Sequence, residues 1–130
     1  MIGIKVKTED RSRQVKRKVK NANFKNLGHA GAVIRLTARR SIRRSNKPSR
    51  PGTPPNTRGG QLRRAIVYAV ERREERVVIG PDYAVVGVSA AAHEFGGYYR
   101  GDHYERRPFM GPALMKTRDR LPQQWAGSIS

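Results

Sequence analysis

Between Phe24 and Ile42 the apolar or small positions Phe24, Leu27, Gly31, Ile34, Ala38 and Ile42 recur at steps of three and four, with Ala30 beside them. A period near 3.6 predicts one amphipathic helix from about Asn23 to Arg44, with Lys25, Arg35, Arg39, Arg43 and Arg44 mostly on its other faces. Gly28 and Gly31 each cost up to about 1 kcal/mol relative to alanine inside a helix, so they suggest the close approach of another backbone, the preferred reading, or a frayed first turn. Upstream, Ile2, Ile4 and Val6 alternate with Gly3, Lys5 and Lys7, the period of a short half-buried edge strand. Thr8 can cap a helix with Glu9 and Asp10 in its first turn. From Arg11 to Lys20 only Val15 and Val19 are apolar, which leaves a solvated helix and a basic arm ordered by a partner equally open.

Residues 46–60 contain Pro48, Pro51, Pro54, Pro55, Gly52, Gly59 and Gly60 and can continue neither a helix nor a central strand. A loop of that length in a small domain marks a candidate contact surface. Gln61 to Arg72 reads as a strand around Ile66, Val67, Tyr68 and Val70, Arg73 to Glu75 as a charged turn, and Arg76 to Ile79 as the returning strand of a hairpin stopped by Gly80 and Pro81. A third short strand is expected at Ala84 to Val88. Ser89 is expected to cap a short helix through Ala90, Ala91 and Ala92 that Gly96 and Gly97 end. Tyr98 to Arg107 reads as an aromatic and charged excursion. A last helix runs from Gly111 or Pro112 to about Arg120, before Pro122 and a loose tail from Trp125. The expected fold class is α+β: a long amphipathic helix packed on a small antiparallel sheet, with a short C-terminal helix. The expected organisation is a basic arm over 1–22, one domain over 23–121 and a tail over 122–130.

Charge changes this picture more than composition does. The chain has 130 residues, enough for one core and too few for a multidomain enzyme. Its 28 Lys+Arg against 10 Asp+Glu give a formal net charge of +18, at a mean hydropathy of -0.76. Nineteen of the basic residues lie in 1–64 with only Glu9 and Asp10 opposing them, so nearly all of the excess sits in the first half. Such a half attracts a polyanion or an acidic protein surface. DNA-facing or acidic-partner contacts are expected at Arg11, Arg13, Lys16, Arg17, Lys18 and Lys20, and on the helix face of Arg35, Arg39, Arg43 and Arg44. With no RNA-recognition aromatic motif or zinc knuckle nearby, sequence-specific readout is not expected. Cysteine is absent, which removes disulfides and thiolate chemistry. No apolar run approaches the roughly 20 residues a membrane helix needs, and no signal-peptide core opens the chain, so a soluble protein not exported by that route is expected.

The chemistry-bearing clusters favour a bland reading. His93 and Glu94 are adjacent and diverge on a helix, and with Asp102 and His103 they lack metal-ligand spacing. No serine sits in a nucleophile elbow, and Glu74 and Glu75 lie among arginines that neutralise them. Gly59 and Gly60 lack the rest of a phosphate loop and are followed by an expected strand. Neither a catalytic residue, a metal nor a cofactor is therefore expected.

One ordered set of motifs remains. Ser49-Arg50-Pro51-Gly52-Thr53-Pro54-Pro55, then Thr57, Gly60, Leu62 and Arg63, then Ile79-Gly80-Pro81, His93-Glu94-Phe95-Gly96, and Arg107-Pro108-Phe109-Met110-Gly111-Pro112-Ala113-Leu114 follow one another along the chain. In that order, over about Asn23 to Leu121, the chain resembles the small virion morphogenesis proteins of tailed bacteriophages, the head-tail joining or tail-completion family. The resemblance implies a structural, non-enzymatic protein of the neck or head-proximal tail end, assembled in the host cytoplasm. It further implies a ring around the DNA passage, contacting neighbouring neck and tail proteins, with packaged DNA nearby and no membrane, and the small core and exposed loops lead to an expected six copies. In that setting Glu94, Phe95, Gly96, Pro108, Phe109, Pro112 and Leu114 are expected as structural anchors, Phe95 holding its turn in the sheet and Phe109 and Leu114 packing under the last helix. Pro51, Pro54, Pro55, Tyr98, Tyr99 and Tyr104 are expected at subunit or partner interfaces. The alternatives are a basic, non-specific nucleic-acid-binding protein of ribosome-associated type, which shares the charge but not the motifs, and a small nuclease, which lacks a carboxylate cluster.

Overall fold

In a computed structural model describing residues 9–122, with side chains from Arg13 onward, the chain opens as a single helix, α1 (Glu9–Ser41). The expected strand over Met1–Lys7, the Thr8 cap and the tail from Trp125 lie outside the described residues. Of the two readings left open for the basic segment up to Lys20, the structure shows the helix, and it runs on without a break into the helix expected from Asn23. α1 ends at Ser41 rather than Arg44, although Ile42 just beyond it stays buried in the core. Its buried positions Ala30, Ile34 and Ala38 repeat at four-residue steps, the face the periodicity predicted.

The hairpin pairs β1 (Ile66–Glu71) with β2 (Arg76–Pro81), from Ile66 opposite Pro81 to Glu71 opposite Arg76. β2 runs through Gly80 and Pro81, which do not stop it. One face of the hairpin lies on α1. There Gly31 is required: a Cβ would stand 2.6 Å from Tyr68 Cδ2 and 2.9 Å from Val77 Cγ2. Gly28 meets nothing within 4 Å, so the close approach expected there is absent.

Local pattern misled in three places. Residues expected to begin the first strand form a short helix, α2 (Gln61–Ala65), which follows Gly60 at φ 76° and buries Leu62 and Ala65 one turn apart. The expected third strand is a helical turn, α3 (Tyr83–Val86). β-Branched Val85 and Val86 suggested a strand, but the Asp82 side chain accepts the Ala84 amide hydrogen at 3.0 Å and caps a helix. The excursion after Gly96 contains a second hairpin, β3 (Gly97–Tyr99) with β4 (Asp102–Tyr104), so the described residues form two two-stranded sheets rather than one.

Between the hairpins, α4 (Ser89–Phe95) buries Ala90 and Ala92 and ends at Gly96, φ 72°, as expected. Ser89 is its first helical residue and not its cap; the hydroxyl donates back to Val86 O at 2.7 Å. The last helix, α5 (Met110–Thr117), is shorter than expected and carries Pro112 within its first turn, where a missing N–H costs no helical bond. α5 packs on α1 through small residues: Ala113 and Thr117 are buried, whereas Leu114 is 48% exposed. The expectation that Leu114 packs beneath this helix is therefore corrected. Small side chains let two helices approach closely, and that selects the face. Ile34, Ala38, Ile42, Leu62, Ile66, Ala90, Phe109 and Ala113 form the core, with Phe109 1% exposed.

Candidate functional site

The segment from Glu94 to Gly111 is organised by one carboxylate. Glu94 Oε2 accepts the backbone N–H of Phe109 at 2.8 Å and of Met110 at 3.0 Å, and Oε1 accepts that of Gly111 at 2.8 Å. These are amides at the start of α5, which have no intrahelical partner, and the carboxylate also sits at the positive end of the helix dipole. Glu94 thus ties the end of α4 to the start of α5 and holds Phe109 in the core between them. Arg107 adds a second tie: its amide donates to His93 O at 2.6 Å and its Nε to Ser49 O at 3.1 Å. Pro108 is buried beside Phe109.

Phe95 departs from expectation. On α4, Ala90 and Glu94 share the inward side, while Ala91 and Phe95, also four residues apart, face outward; Phe95 is 77% exposed. It does not anchor its turn in a sheet. It stands at the rim of an apolar groove of about 460 Å³ whose lining includes Ile79, Pro81, Tyr83, Val88 and Met110. Tyr83 and Val88 in the same groove are also exposed. These groove residues were missed because their exposure follows from α3 being a helix, and Asp82 was the available signal.

The tyrosines divide. Tyr98 is exposed, with its ring edge-on to that of His103, its cross-strand partner, at 5.2 Å. Tyr99 and Tyr104 are half-buried and pack on each other at 5.9 Å, and Tyr104 also meets His93 at 5.5 Å. His93 is held below its ordinary pKa by burial and then by the Arg107 guanidinium, and its Nδ1 has no hydrogen-bond partner among the described residues. The proline-rich loop is tied down at several points. Gly52 N donates to Arg106 O at 2.7 Å, Thr57 N to Arg43 O at 2.9 Å, and Asn56 Nδ2 to Lys47 O at 2.9 Å. Pro51 is exposed and Pro54 half-buried, but Pro55 is fully buried in its own chain and offers no interface.

The expected basic contacts fall into two groups. Arg13, Lys16, Arg17, Lys18 and Lys20 are exposed on α1, and Arg13, Lys16, Arg17 and Lys20 share one face at steps of three and four; Arg11 is helical, its side chain outside the described residues. Downstream, three arginines hold the fold together. Arg35 Nε donates to Ile66 O at 3.2 Å, Arg39 to Arg64 O at 3.0 Å, and Arg44 Nε to Arg58 O at 3.2 Å, while Arg43 is exposed. Gly59 and Gly60 precede α2 rather than a strand, but the Gly60 amide is already donated to Thr57 Oγ1 at 3.1 Å and the rest of a phosphate loop is missing. Among the described residues no three His, Asp or Glu side chains are grouped to hold a metal, and no helix is long and apolar enough to cross a membrane. The chain matches no protein-family model, no curated protein and no solved structure.

Proposed function

We propose that this chain is a structural virion protein of a tailed bacteriophage, acting at the neck or head-proximal tail end in head-tail joining or tail completion. On this reading about six copies form a ring around the DNA passage, neighbouring copies and neck or tail proteins cover the apolar surface, and the basic part of α1 meets packaged DNA. The observation that carries it is the outward Phe95 beside the apolar groove, in a segment whose backbone is held rigidly by Glu94. An exposed apolar patch backed by a rigid scaffold is what a protein-protein contact needs. The motif order from Ser49 to Leu114 supports the phage setting, as the resemblance implies. Phe95→Ser, supplied by complementation to a phage lacking the gene, tests it: unchanged melting with unattached heads and tails is expected. Normal yield of infectious particles from a Phe95→Ser, Tyr83→Ser double variant would sink the proposal. Expression as a monomer that copurifies with RNA and leaves particle yield untouched would favour the basic nucleic-acid-binding reading, for which the exposed cations of α1 speak.

A further inference from the structure

A second concavity lies away from the groove, where the end of α1, the proline-rich loop and the last turn of α5 meet. Its volume is about 540 Å³, and its lining includes Arg40, Arg43, Lys116, Ser41, Ser49 and Asn56. No carboxylate lines it, and the three cationic side chains make no hydrogen bond or ion pair with any described residue. The hydroxyls are unequal. Ser41 Oγ donates to Ala38 O at 2.6 Å and Thr53 Oγ1 to Arg50 O at 2.6 Å, so both protons are committed. Ser49 Oγ is shut away from solvent and has no partner among the described residues, while its carbonyl is gripped by Arg107 Nε at 3.1 Å. The hydroxyls of Ser41, Ser49 and Thr53 are therefore committed or enclosed, and what the cleft presents is three uncommitted cations on a wall fixed by the Arg107–Ser49 bond.

We infer that this cleft binds the phosphodiester backbone of a nucleic-acid strand. Three positive charges without a carboxylate select an anion, and the planar guanidinium forks of Arg40 and Arg43 match the paired oxygens of a phosphate. The volume exceeds that of a single free phosphate and accommodates a phosphate with its flanking sugars. Arg40, Arg43 and Lys116 are all exposed, so the cleft is open at the surface and a strand can run across it. The site goes beyond the proposed function: it needs no ring, and it is separate from the basic run of Arg13 to Lys20.

The test uses the isolated full chain. Backbone amide resonances of Ser41, Ser49, Thr53 and Asn56 are followed by NMR during titration with a short DNA duplex and, separately, with inorganic phosphate. Saturable shifts centred on these residues with the duplex are expected. They should vanish in the Arg40→Gln, Arg43→Gln, Lys116→Gln variant, with melting unchanged and duplex affinity down at least about tenfold. Each cation withdrawn from the phosphates should flatten the log-log salt slope by about 0.9. Shifts with inorganic phosphate but none with duplex would overturn the strand as ligand. Duplex-induced shifts confined to Arg13–Lys20, or cleft shifts that survive the triple variant, would overturn the site.

Discussion

At the scale of single residues, Glu94 and Phe109 are coupled, because the carboxylate that caps α5 accepts the amide of the aromatic residue it helps to bury. Glu94→Ala removes three charge-assisted hydrogen bonds and leaves helix-end amides uncapped, a loss of about 2 to 3 kcal/mol. Glu94→Gln keeps one acceptor oxygen and should lose about half as much in denaturant unfolding. Phe109→Ala empties the largest buried site in the core, and a loss of about 3 to 5 kcal/mol is expected. Normal melting for Phe109→Ala would show that the core is not built around it. His93 sets a pH dependence. Its folded-state pKa lies below the ordinary 6.5, so the unfolded chain binds the proton more readily, and stability falls as pH drops through 6.5 toward the folded value. Melting temperature should therefore decline from pH 7 to pH 5.5, and His93→Gln should decline less over that interval.

At the scale of elements, two glycines three residues apart on α1 carry opposite predictions. Gly28→Ala adds a methyl into open space and should stabilise by up to about 1 kcal/mol through helix propensity. Gly31→Ala drives the same methyl against the Tyr68 ring and Val77, and overpacking of about 1 to 3 kcal/mol should exceed the propensity gain. Thermal melting of the pair reads both signs in one experiment. α1 and the β1–β2 hairpin were legible because each has enough residues for its period to show, 3.6 in one and β-branched runs around a charged turn in the other. α2, α3 and β3–β4 were not, because segments of three to five residues carry less than two turns or two pleats of pattern. What decided them was the fit of Leu62 and Ala65 into the core, the Asp82 cap and the pairing of Tyr98 with His103.

At the scale of the whole molecule, the net charge of +18 and its concentration in the first half bear on association rather than on fold. The exposed run on α1 predicts binding to duplex DNA without sequence preference, weakening steeply as salt rises. Deleting residues 1–20 removes eight basic residues and should flatten the log-log salt slope; an unchanged slope would assign that segment to an acidic protein surface instead. Mass measurement is expected to find a monomer or weak oligomer in isolation, and particle imaging a closed ring on the tail axis. A single off-axis copy per particle would contradict the ring.

The chain alone determined its α+β class, the buried face of α1, the hairpin, the helix end at Gly96 and the core place of Phe109, because each rests on local periodicity, glycine conformation or hydrophobicity. Only the tertiary structure decided which way Phe95 and Leu114 point. Hydrophobicity names a residue that gains from burial but not the face on which burial is offered, and here Ala90, Ala92, Ala113 and Thr117 occupy the inner faces. It alone also separated arginines that hold backbone carbonyls, Arg35, Arg39 and Arg44, from those left free at Arg40 and Arg43. Identical guanidinium groups on α1 and the segment just after it differ in role only through the carbonyls that the folded chain brings within their reach.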